Sequence, residues 1–507
     1  MAKALARSLW GGVASEDYVA SSVGAWVLSR GGNAIDAAVA VSLALAVTIP
    51  HLGGIGGDYF ALIRSPDGKV VFINGSGQAP QRLSVELLRS RGFEEMPERG
   101  PLSIAVPGMV GGLHYMWKRY GSLEWRELVE PSIRLAREGF PTPGSLARSI
   151  EMNREILEAD PGSRSAYLPP PKPGDTIKFP GLAKLLECIS EDPRCLYESD
   201  PADKIAEYLE SRGGVLSAED LKEYAPLESE PLRIEYRGWN VWEMPPNTQG
   251  ITTLHILMQL EDRDLPAEPL DRFPVIYEAA VLAHWIRDKY VGDPKYMPLP
   301  ASEMLSREFL EKAAGEAGLG GIRAGASGDT TFYTVVDREG TMLLGIQSLF
   351  YPFGSGLTEP TYQVTLNARA GCFTLEERLP NTVAPGKRPL NTLSAVILES
   401  PEGDRVIGLG LSGGHLRPQM HAMIVTSIID HGYDVVEAIN APRAAWMPGT
   451  SKVVVDRGYA SQLKVPKGLT ATEGRVGVAS ASELRGRLAI LATDFRGEGV
   501  PVAGIPH

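Results

Sequence analysis

The fold of this chain is best approached through one stretch, which reads Gly328-Asp329-Thr330-Thr331-Phe332-Tyr333-Thr334-Val335-Val336-Asp337. After the two threonines the side chains alternate between the faces of an extended strand. If the peptide bond before Thr330 is cut, its free α-amine lies beside its own hydroxyl. An α-amine has an ordinary pKa of about 7.7–8.0, so it can accept the hydroxyl proton during attack. The alternative is that Thr330 only begins a strand, as β-branched residues often do.

The composition is that of a large globular protein. Hydrophobic residues make up 43% of the 507 residues and charged residues 22%, so two or more lobes are expected. The net charge of −12 argues against nucleic acid or an anionic membrane as a partner. No apolar stretch follows the first residues, so we expect no secretory signal, and the apolar segment 34–49 is too short to span a bilayer. We therefore expect a cytoplasmic protein that is not embedded in a membrane.

The cysteines and histidines offer little for a metal or a disulfide. The three cysteines, Cys188, Cys195 and Cys372, are an odd number, which makes disulfides unlikely and favours a reducing compartment. His415 and His421 have a weak metal-ligand spacing. The chain contains no dinucleotide fingerprint and no P-loop. We expect neither a metal nor another cofactor.

Helix and strand signals alternate along the chain. Helices are predicted from the Ser15-Glu16-Asp17 cap to residue 31 and over 34–49, 252–265, 274–290 and 416–430, and residues 103–225 read as mainly helical. Strands are predicted over 58–65, 70–76, 232–242, 332–336, 342–350, 393–398 and 405–411. Sheets flanked by helices indicate a layered fold. Residues 306–328 are rich in glycine and alanine and read as a linker between 1–329 and 330–507.

A second nucleophile competes with Thr330. Residues 410–414 match the pattern G-x-S-x-G around Ser412, between a predicted strand and a predicted helix. A serine esterase would need an acid and then a histidine downstream, and after His431 only His507 remains. The same glycines can instead form an oxyanion hole, because they let backbone N–H groups approach a ligand.

Motifs along nearly the whole chain resemble the γ-glutamyltransferase family of N-terminal nucleophile hydrolases. The resemblance is carried by residues 30–40, 50–51, 54–60, 106–108, 213–216, 220–221, 244–246, 292–294, 330–337, 353–356, 384–389, 413–414 and 441–443. Each motif alone is weak, but together and in this order they are specific. The details of 346–348 and 366–369 are most similar to the branch with oxamate amidohydrolase and acylase-like members.

The resemblance implies a fold and a maturation step. The fold would be α+β, a four-layer αββα sandwich of the N-terminal nucleophile hydrolase type. Cleavage between Asp329 and Thr330 would give a large subunit, 1–329, and a small subunit, 330–507, which stay together. Thr330 matches the nucleophile, Gly413 and Gly414 match the oxyanion glycines, and Ser348 matches a second active-site hydroxyl.

The substrate pocket departs from the family pattern. Ser76 takes the place of the arginine that grips a glutamyl α-carboxylate, and Cys372 takes the place of the acid that grips the α-amine. Phe350 replaces an asparagine. Two neighbouring polar positions read Asn391 and Thr392.

Arg369 replaces a glutamine of the family pattern. A buried arginine binds a carboxylate strongly, although a structural ion pair is an equal alternative.

The sequence therefore predicts a cofactor-free amide hydrolase that forms an acyl-enzyme on Thr330 and releases it mainly to water. Its partners would be a small-molecule amide and the second subunit of the same precursor, and a homo-oligomer of the processed pair is possible. Three alternatives remain: a true γ-glutamyltransferase or glutathione hydrolase, a serine esterase using Ser412, and an unprocessed relic without activity.

Overall fold

The computed structural model describes residues 4–317, 321–324 and 328–506. Its helices are α1 (Tyr18–Ser29), α2 (Ala34–Thr48), α3 (Pro50–Gly53), α4 (Val85–Ser90), α5 (Met109–Tyr120), α6 (Trp125–Glu138), α7 (Gly144–Met152), α8 (Arg154–Ala159), α9 (Pro161–Tyr167), α10 (Pro180–Glu191), α11 (Cys195–Glu198), α12 (Asp200–Glu210), α13 (Ala218–Lys222), α14 (Gly250–Leu260), α15 (Phe273–Tyr290), α16 (Arg307–Glu316), α17 (Arg417–Ile429) and α18 (Val435–Asn440). Its strands are β1 (Ala4–Ser8), β2 (Gly12–Ser15), β3 (Asp58–Arg64), β4 (Val70–Gly75), β5 (Phe140–Pro141), β6 (Thr176–Ile177), β7 (Leu227–Ser229), β8 (Leu232–Tyr236), β9 (Trp239–Glu243), β10 (Asp329–Val336), β11 (Met342–Phe350), β12 (Thr358–Glu359), β13 (Val364–Thr365), β14 (Val396–Glu399), β15 (Arg405–Leu411), β16 (Ala444–Trp446), β17 (Lys452–Asp456), β18 (Thr470–Gly474), β19 (Ala479–Arg485), β20 (Leu488–Thr493) and β21 (Val502–Ala503).

Two antiparallel sheets of seven strands lie face to face. Their orders are β1-β20-β19-β15-β14-β9-β8 and β21-β2-β10-β11-β3-β4-β7. An apolar layer between them includes Phe60, Phe332, Leu344 and Ile397. Helices α1, α2, α5 and α6 cover the outside of the second sheet, and α14, α15, α17 and α18 cover the outside of the first. The α+β fold, a four-layer αββα sandwich, is thus confirmed.

Helix α2 supports the strand that begins with the two threonines. Its N-terminus is a capping box: the side chain of Asn33 accepts from the N–H groups of Ile35 and Asp36, and Asp36 accepts from Asn33 N at 3.0 Å. Every residue of α2 is buried, and the helix packs on β10 and β11. The predicted cap and helix are both confirmed, and they explain the apolar run at 34–49 without a membrane.

The segments 1–329 and 330–507 are interleaved. In the second sheet, β10, β11 and β21 come from the later segment and the other four strands from the earlier one. In the first sheet, β1, β8 and β9 belong to the earlier segment and lie with four later strands. The two segments therefore share one sandwich instead of forming two lobes, so a cut between them would leave two chains joined through both sheets.

Two predicted elements differ from the structure. Residues 232–242 form a hairpin, β8 and β9, because Arg237 and Gly238 both take positive φ (49° and 81°), as a two-residue hairpin turn requires. The 306–328 linker contains α16, whose first turn is capped by the Ser306 hydroxyl accepting from Phe309 N at 3.2 Å. The glycine-rich residues 318–320 and 325–327 lie outside the described residues.

The expectation that the cysteines form no disulfide was wrong. Cys188 is bonded to Cys195, with their Cα atoms 6.0 Å apart. Helix α10 ends at Glu191, and a turn follows in which Asp192 N donates to Cys188 O and Cys195 N donates to Asp192 O, both at 2.9 Å. This turn folds Cys195 back onto Cys188, a local geometry that cysteine counting does not reveal. Cys372 is buried and unbonded.

Within the described residues, every helix is either too short or too polar to cross a lipid bilayer.

Candidate active site

Thr330 lies at the head of β10, in the middle of the second sheet. Its side chain is buried, and its hydroxyl donates to Ser348 Oγ on β11 at 3.4 Å. Ser348 Oγ in turn accepts from Phe350 N at 2.8 Å. The register of β10 and β11 shifts between Asp329 and Thr331, which is an irregularity of the kind that re-aims a side chain at a sheet end. The two hydroxyls that the sequence singled out are therefore neighbours.

Gly413 and Gly414 follow β15 on the facing sheet. Their φ angles of +145° and +53° are ones that side-chain-bearing residues rarely adopt. A Cβ on Gly413 would lie 2.1 Å from Met420 Cε, so the end of that side chain would have to move to admit one. Among the contacts of the described residues, neither glycine N–H donates to a protein acceptor. Both N–H groups are thus available for an oxyanion.

The chain that enters Thr330 passes directly against the glycine loop. A Cβ built on Gly328 would lie 3.4 Å from Gly414 Cα and 3.0 Å from Phe350 O. The peptide leading to the threonine therefore lies between the glycines on one sheet and the end of β11 on the other.

Gln249 connects the glycine loop to the rest of the site. Its side-chain amide donates to Gly414 O at 2.7 Å and to Thr392 O at 2.9 Å. Its own oxygen accepts from Arg287 Nη1 at 3.3 Å. Because Gln249 is fully buried, these bonds fix the two loops relative to one another.

Arg369 forms an ion pair inside the protein. Its Nε donates to Asp58 Oδ2 at 2.6 Å, and both side chains are completely buried. Asp58 also accepts from Asn391 Nδ2 at 3.0 Å and from Gly77 N at 3.1 Å. Arg369 Nη2 is buried, and no described residue accepts a hydrogen bond from it. The structural ion pair and a free donor thus exist on the same guanidinium.

The other pocket positions surround Arg369. Its Nη1 donates to Thr392 Oγ1 at 3.4 Å and approaches Cys372 Sγ at 3.6 Å. The Phe350 ring lies 4.8 Å from its guanidinium carbon. Burial raises the pKa of the Cys372 thiol even though Arg369 acts in the opposite direction, so this thiol is a neutral neighbour.

Ser76 is also buried, but its hydroxyl is already used. It donates to Asn74 Oδ1 at 2.6 Å, and Asn74 donates onward to Asn247 Oδ1 at 2.8 Å. Ser76 is linked to the site through its neighbour Gly77, whose N–H donates to Asp58.

His415, next to Gly414, is held neutral. Burial and the guanidinium of Arg287 keep its pKa well below the ordinary range, and Arg287 Nη1 donates to its Nδ1 at 3.0 Å. Arg287 is paired with Asp288 at 2.7 Å. His415 is therefore surrounded by cations and carries no charge of its own.

Arg417, the first residue of α17, stands apart from these pairs. It is completely buried, and the one hydrogen bond of its side chain to the described residues runs from Nε to Leu411 O at 2.6 Å. Nη1 and Nη2 have no acceptor among the described residues. Burial and then the positive charge of Arg369 lower its pKa to about 9.

Ser412 does not have the surroundings of an esterase nucleophile. Its hydroxyl oxygen accepts from Val478 N at 2.9 Å, and its own N–H donates to Val478 O at 3.0 Å. In the described part of the chain no histidine is bonded to it. Through these two bonds Ser412 holds the glycine loop against Val478.

Sequence reasoning missed Asp58, Gln249 and Arg417. A polar residue directly after the glycine cluster at 53–57 was a usable signal for Asp58. Gln249 lies just after the Met244-Pro245-Pro246 motif, and Arg417 lies just after the glycine pair. Neither position predicts a contact with a distant loop.

The paired sheets, the outer helices and a threonine at the head of a central strand define an enzyme fold of the N-terminal nucleophile hydrolase type. The family model described as Gamma-glutamyltranspeptidase matches residues 20–503. The chain therefore belongs to the gamma-glutamyltranspeptidase family of enzymes.

Individual relatives cover most of the chain. It is 33% identical over 446 residues to the glutathione hydrolase-like YwrD proenzyme of Bacillus subtilis (strain 168), covering 86% of this chain and 84% of that protein. It is 31% identical over 448 residues to the oxamate amidohydrolase proenzyme of Klebsiella pneumoniae subsp. pneumoniae, covering 85% and 84%. The crystal structure of cephalosporin acylase from Bacillus halodurans superposes with a TM-score of 0.92 at 30% identity, covering 100% of this chain and 98% of that one.

Proposed function

We propose that this protein is a self-processing threonine amide hydrolase. The observation that carries the proposal is the position of Thr330, 3.4 Å from the Ser348 hydroxyl and approached by a chain that runs along Gly414. A nucleophile, a polar neighbour and unoccupied backbone donors then meet at one end of the sandwich.

In the first step the precursor cleaves itself. Thr330 Oγ1 attacks the carbonyl carbon of Asp329, the C–N bond breaks, and water hydrolyses the resulting ester. The products are 1–329 with a new carboxylate and 330–507 with a free Thr330 amine. The interleaved sheets keep both products in one particle.

Turnover uses the same hydroxyl. The Thr330 amine takes the hydroxyl proton, Oγ1 attacks the amide carbonyl, and the N–H groups of Gly413 and Gly414 bind the oxyanion. The leaving amine departs with a proton from the Thr330 ammonium, and water then releases the acid.

The substrate proposal follows from charge. A glutamyl head group needs an anion for its amine. Cys372 and Ser76 provide none, and the carboxylate of Asp58 is already paired with Arg369. Among the described residues Arg369 Nη2 has no acceptor and can bind one from a substrate. Thr392 accepts from Arg369 Nη1, and Asn391 donates to Asp58, the ion-pair partner of Arg369. An acyl group with a carboxylate and no α-amine suits this pocket, with water as the main acyl acceptor.

The relatives support both this choice and its competitor. One is named an oxamate amidohydrolase and another a glutathione hydrolase-like protein, so a true γ-glutamyl hydrolase is the second candidate. Hydrolysis of γ-glutamyl-p-nitroanilide and of dicarboxylic acid monoanilides, measured side by side, separates them. A clear preference for the γ-glutamyl compound would refute the proposed substrate class.

A cytoplasmic location stays a prediction. The Cys188–Cys195 disulfide weighs against it, because thiols are normally kept reduced there. Fractionation of cells that produce the protein, with thiol counting in each fraction, tests the location.

A further inference from the structure

Charge balance around the acyl pocket leaves one buried cation over. Arg369 is compensated by Asp58 at 2.6 Å, and Arg287 by Asp288 at 2.7 Å. Arg417 has no carboxylate within ion-pair distance among the described residues. Glu243 and Glu16 counter the lowering of the Arg417 pKa from a distance. Glu243 is completely buried, and burial raises its pKa well above the ordinary range, which favours its neutral form. Its Oε1 already lies 2.9 Å from His421 Nδ1.

An uncompensated buried guanidinium is costly, and so are buried N–H donors without acceptors. Arg417 Nη1, Arg417 Nη2 and Arg369 Nη2 are three such donors. The two side chains also repel one another, since the charge of Arg369 acts on Arg417. The unsatisfied donors and the repulsion between the two cations are both relieved if one carboxylate accepts hydrogen bonds from the two guanidinium groups, because a carboxylate has about four acceptor sites.

The location of Arg417 suits this role. It begins the helix directly after the oxyanion glycines, and its backbone N lies 3.9 Å from where a Cβ on Gly413 would be. Its Nε is fixed on Leu411 O, at the end of the strand that leads into those glycines. A group held here is close to the carbonyl that Gly413 and Gly414 would bind.

Building on the proposed function, we propose that Arg417 is the specificity-determining cation of the acyl pocket and that one substrate carboxylate bridges Arg417 and Arg369. The charge of Arg369 is balanced by Asp58, so Arg369 orients the substrate carboxylate through Nη2. Arg417 provides the positive charge that attracts this carboxylate. The acyl group is thus a monocarboxylate, such as the acyl part of a dicarboxylic acid monoamide.

The test compares matched anilides: oxalyl, malonyl, succinyl and glutaryl p-nitroanilides, and their uncharged counterparts of equal length. Arg417→Met should lower kcat/KM for the best charged anilide by about 10- to 100-fold, the scale for losing hydrogen bonds to a charged group. Most of the loss should be in KM. The uncharged anilides should change by less than threefold, and Arg417→Lys should recover part of the loss.

Thermal unfolding gives a second readout. Without ligand, Arg417→Met should unfold at a higher temperature than the natural protein, since an unpaired buried cation is removed. The free diacid of the best substrate should raise the unfolding temperature of the natural protein and not that of Arg417→Met. A structural arginine would give the opposite result, a large loss of stability.

Arg272 provides the matched control. It is also completely buried and has no ion-pair partner in the part of the chain that the structure describes, but it donates to Thr426 and Ser427 on α17, at 3.1 Å and 3.0 Å. Arg272→Met should lose stability and keep the preference for charged substrates. Equal losses on charged and uncharged anilides in Arg417→Met would overturn the inference while leaving Thr330-dependent hydrolysis intact. Hydrolysis that survives Thr330→Ala would instead refute the proposed function.

Discussion

The side-chain amide of Gln249 donates to Gly414 O at 2.7 Å across 165 residues of chain. The same nitrogen donates to Thr392 O at 2.9 Å, so one side chain from the earlier segment holds two loops of the later one. The glycine loop is therefore positioned by a residue that would belong to the other subunit after cleavage. Its geometry depends on the two segments remaining in register.

The first prediction concerns this support. Gln249→Leu leaves the buried carbonyl of Thr392 without a donor, at a cost of about 1–3 kcal/mol, and leaves Gly414 O with the N–H of Arg417 alone, which lets the glycine loop shift. Turnover should fall about 10- to 100-fold, as for other small misplacements of reacting groups. Steady-state kinetics and thermal unfolding measure the two effects.

Gln419→Leu is the matched control. Gln419 is also buried, but its amide exchanges hydrogen bonds with Trp446, at 2.9 Å in each direction. It should lose comparable stability with kcat nearly unchanged. If both variants lose kcat equally, Gln249 has no particular link to the oxyanion loop.

The second prediction concerns the nucleophile. Thr330→Ala removes the attacking oxygen and should abolish both cleavage and turnover, whereas Thr330→Ser should keep part of each. Mass spectrometry of the natural protein should show two chains, 1–329 and 330–507. A fully active single chain would refute the mechanism, because the base would then have no free amine.

The third prediction concerns Ser412. Its hydroxyl accepts from Val478 N at 2.9 Å, so Ser412→Ala leaves a buried N–H unpaired and should cost about 1–3 kcal/mol of stability. Cleavage and turnover should persist at reduced temperature. Complete loss of activity with normal cleavage would instead restore the serine-esterase alternative.

Sequence patterns predicted what is local. Asn33 and Asp36 indicate the start of α2, and the alternation of side chains between the two faces of a strand indicates β10 and β11. The Cys188–Cys195 bond and the hairpin turn at Arg237 were missed because each depends on a short turn with particular backbone angles.

Long-range partners are harder to predict. Asp58 and Arg369 are 311 residues apart in the chain, and no periodicity connects them. Arg369 was a candidate because of its residue type and because it replaces a glutamine of the family pattern. The Arg369–Asp58 ion pair, and the lack of an ion-pair partner for Arg417 among the described residues, depend on loops that only the folded sheets bring together. The roles of Ser76, Cys372, Asn391 and Thr392 in binding remain predictions.

The fourth prediction concerns the buried ion pair. In the uncleaved Thr330→Ala background, Asp58→Asn or Arg369→Met alone should cost about 3–5 kcal/mol, because each leaves a buried charge unpaired. The combination should cost less than the sum, which a double-mutant cycle detects. With Thr330 present, Arg369→Met should also raise KM for carboxylate-bearing amides.

Arg443 and Asp494 supply the comparison, since they form another buried pair at 2.7 Å. Arg443→Met should lose stability in the same way without a selective change in KM. An unchanged KM in Arg369→Met for every carboxylate-bearing amide would exclude Arg369 from substrate binding.

The last prediction uses the pKa of Arg417, which burial and the charge of Arg369 lower to about 9, with Glu243 and Glu16 opposing. Below pH 9 the guanidinium is charged in both the folded and unfolded protein, so the folded state bears the whole penalty. Between about pH 9 and the ordinary arginine range, the folded protein binds fewer protons than the unfolded one, and the penalty shrinks as pH rises. The stability advantage of Arg417→Met should therefore be constant from pH 6 to 8 and decline above about pH 9. The difference in stability between the natural protein and Arg417→Met removes the contributions of tyrosines and lysines that titrate in the same range, because both proteins contain them. An advantage that stays flat to pH 10.5, measured by thermal unfolding, would mean that Arg417 remains charged and is compensated by a partner.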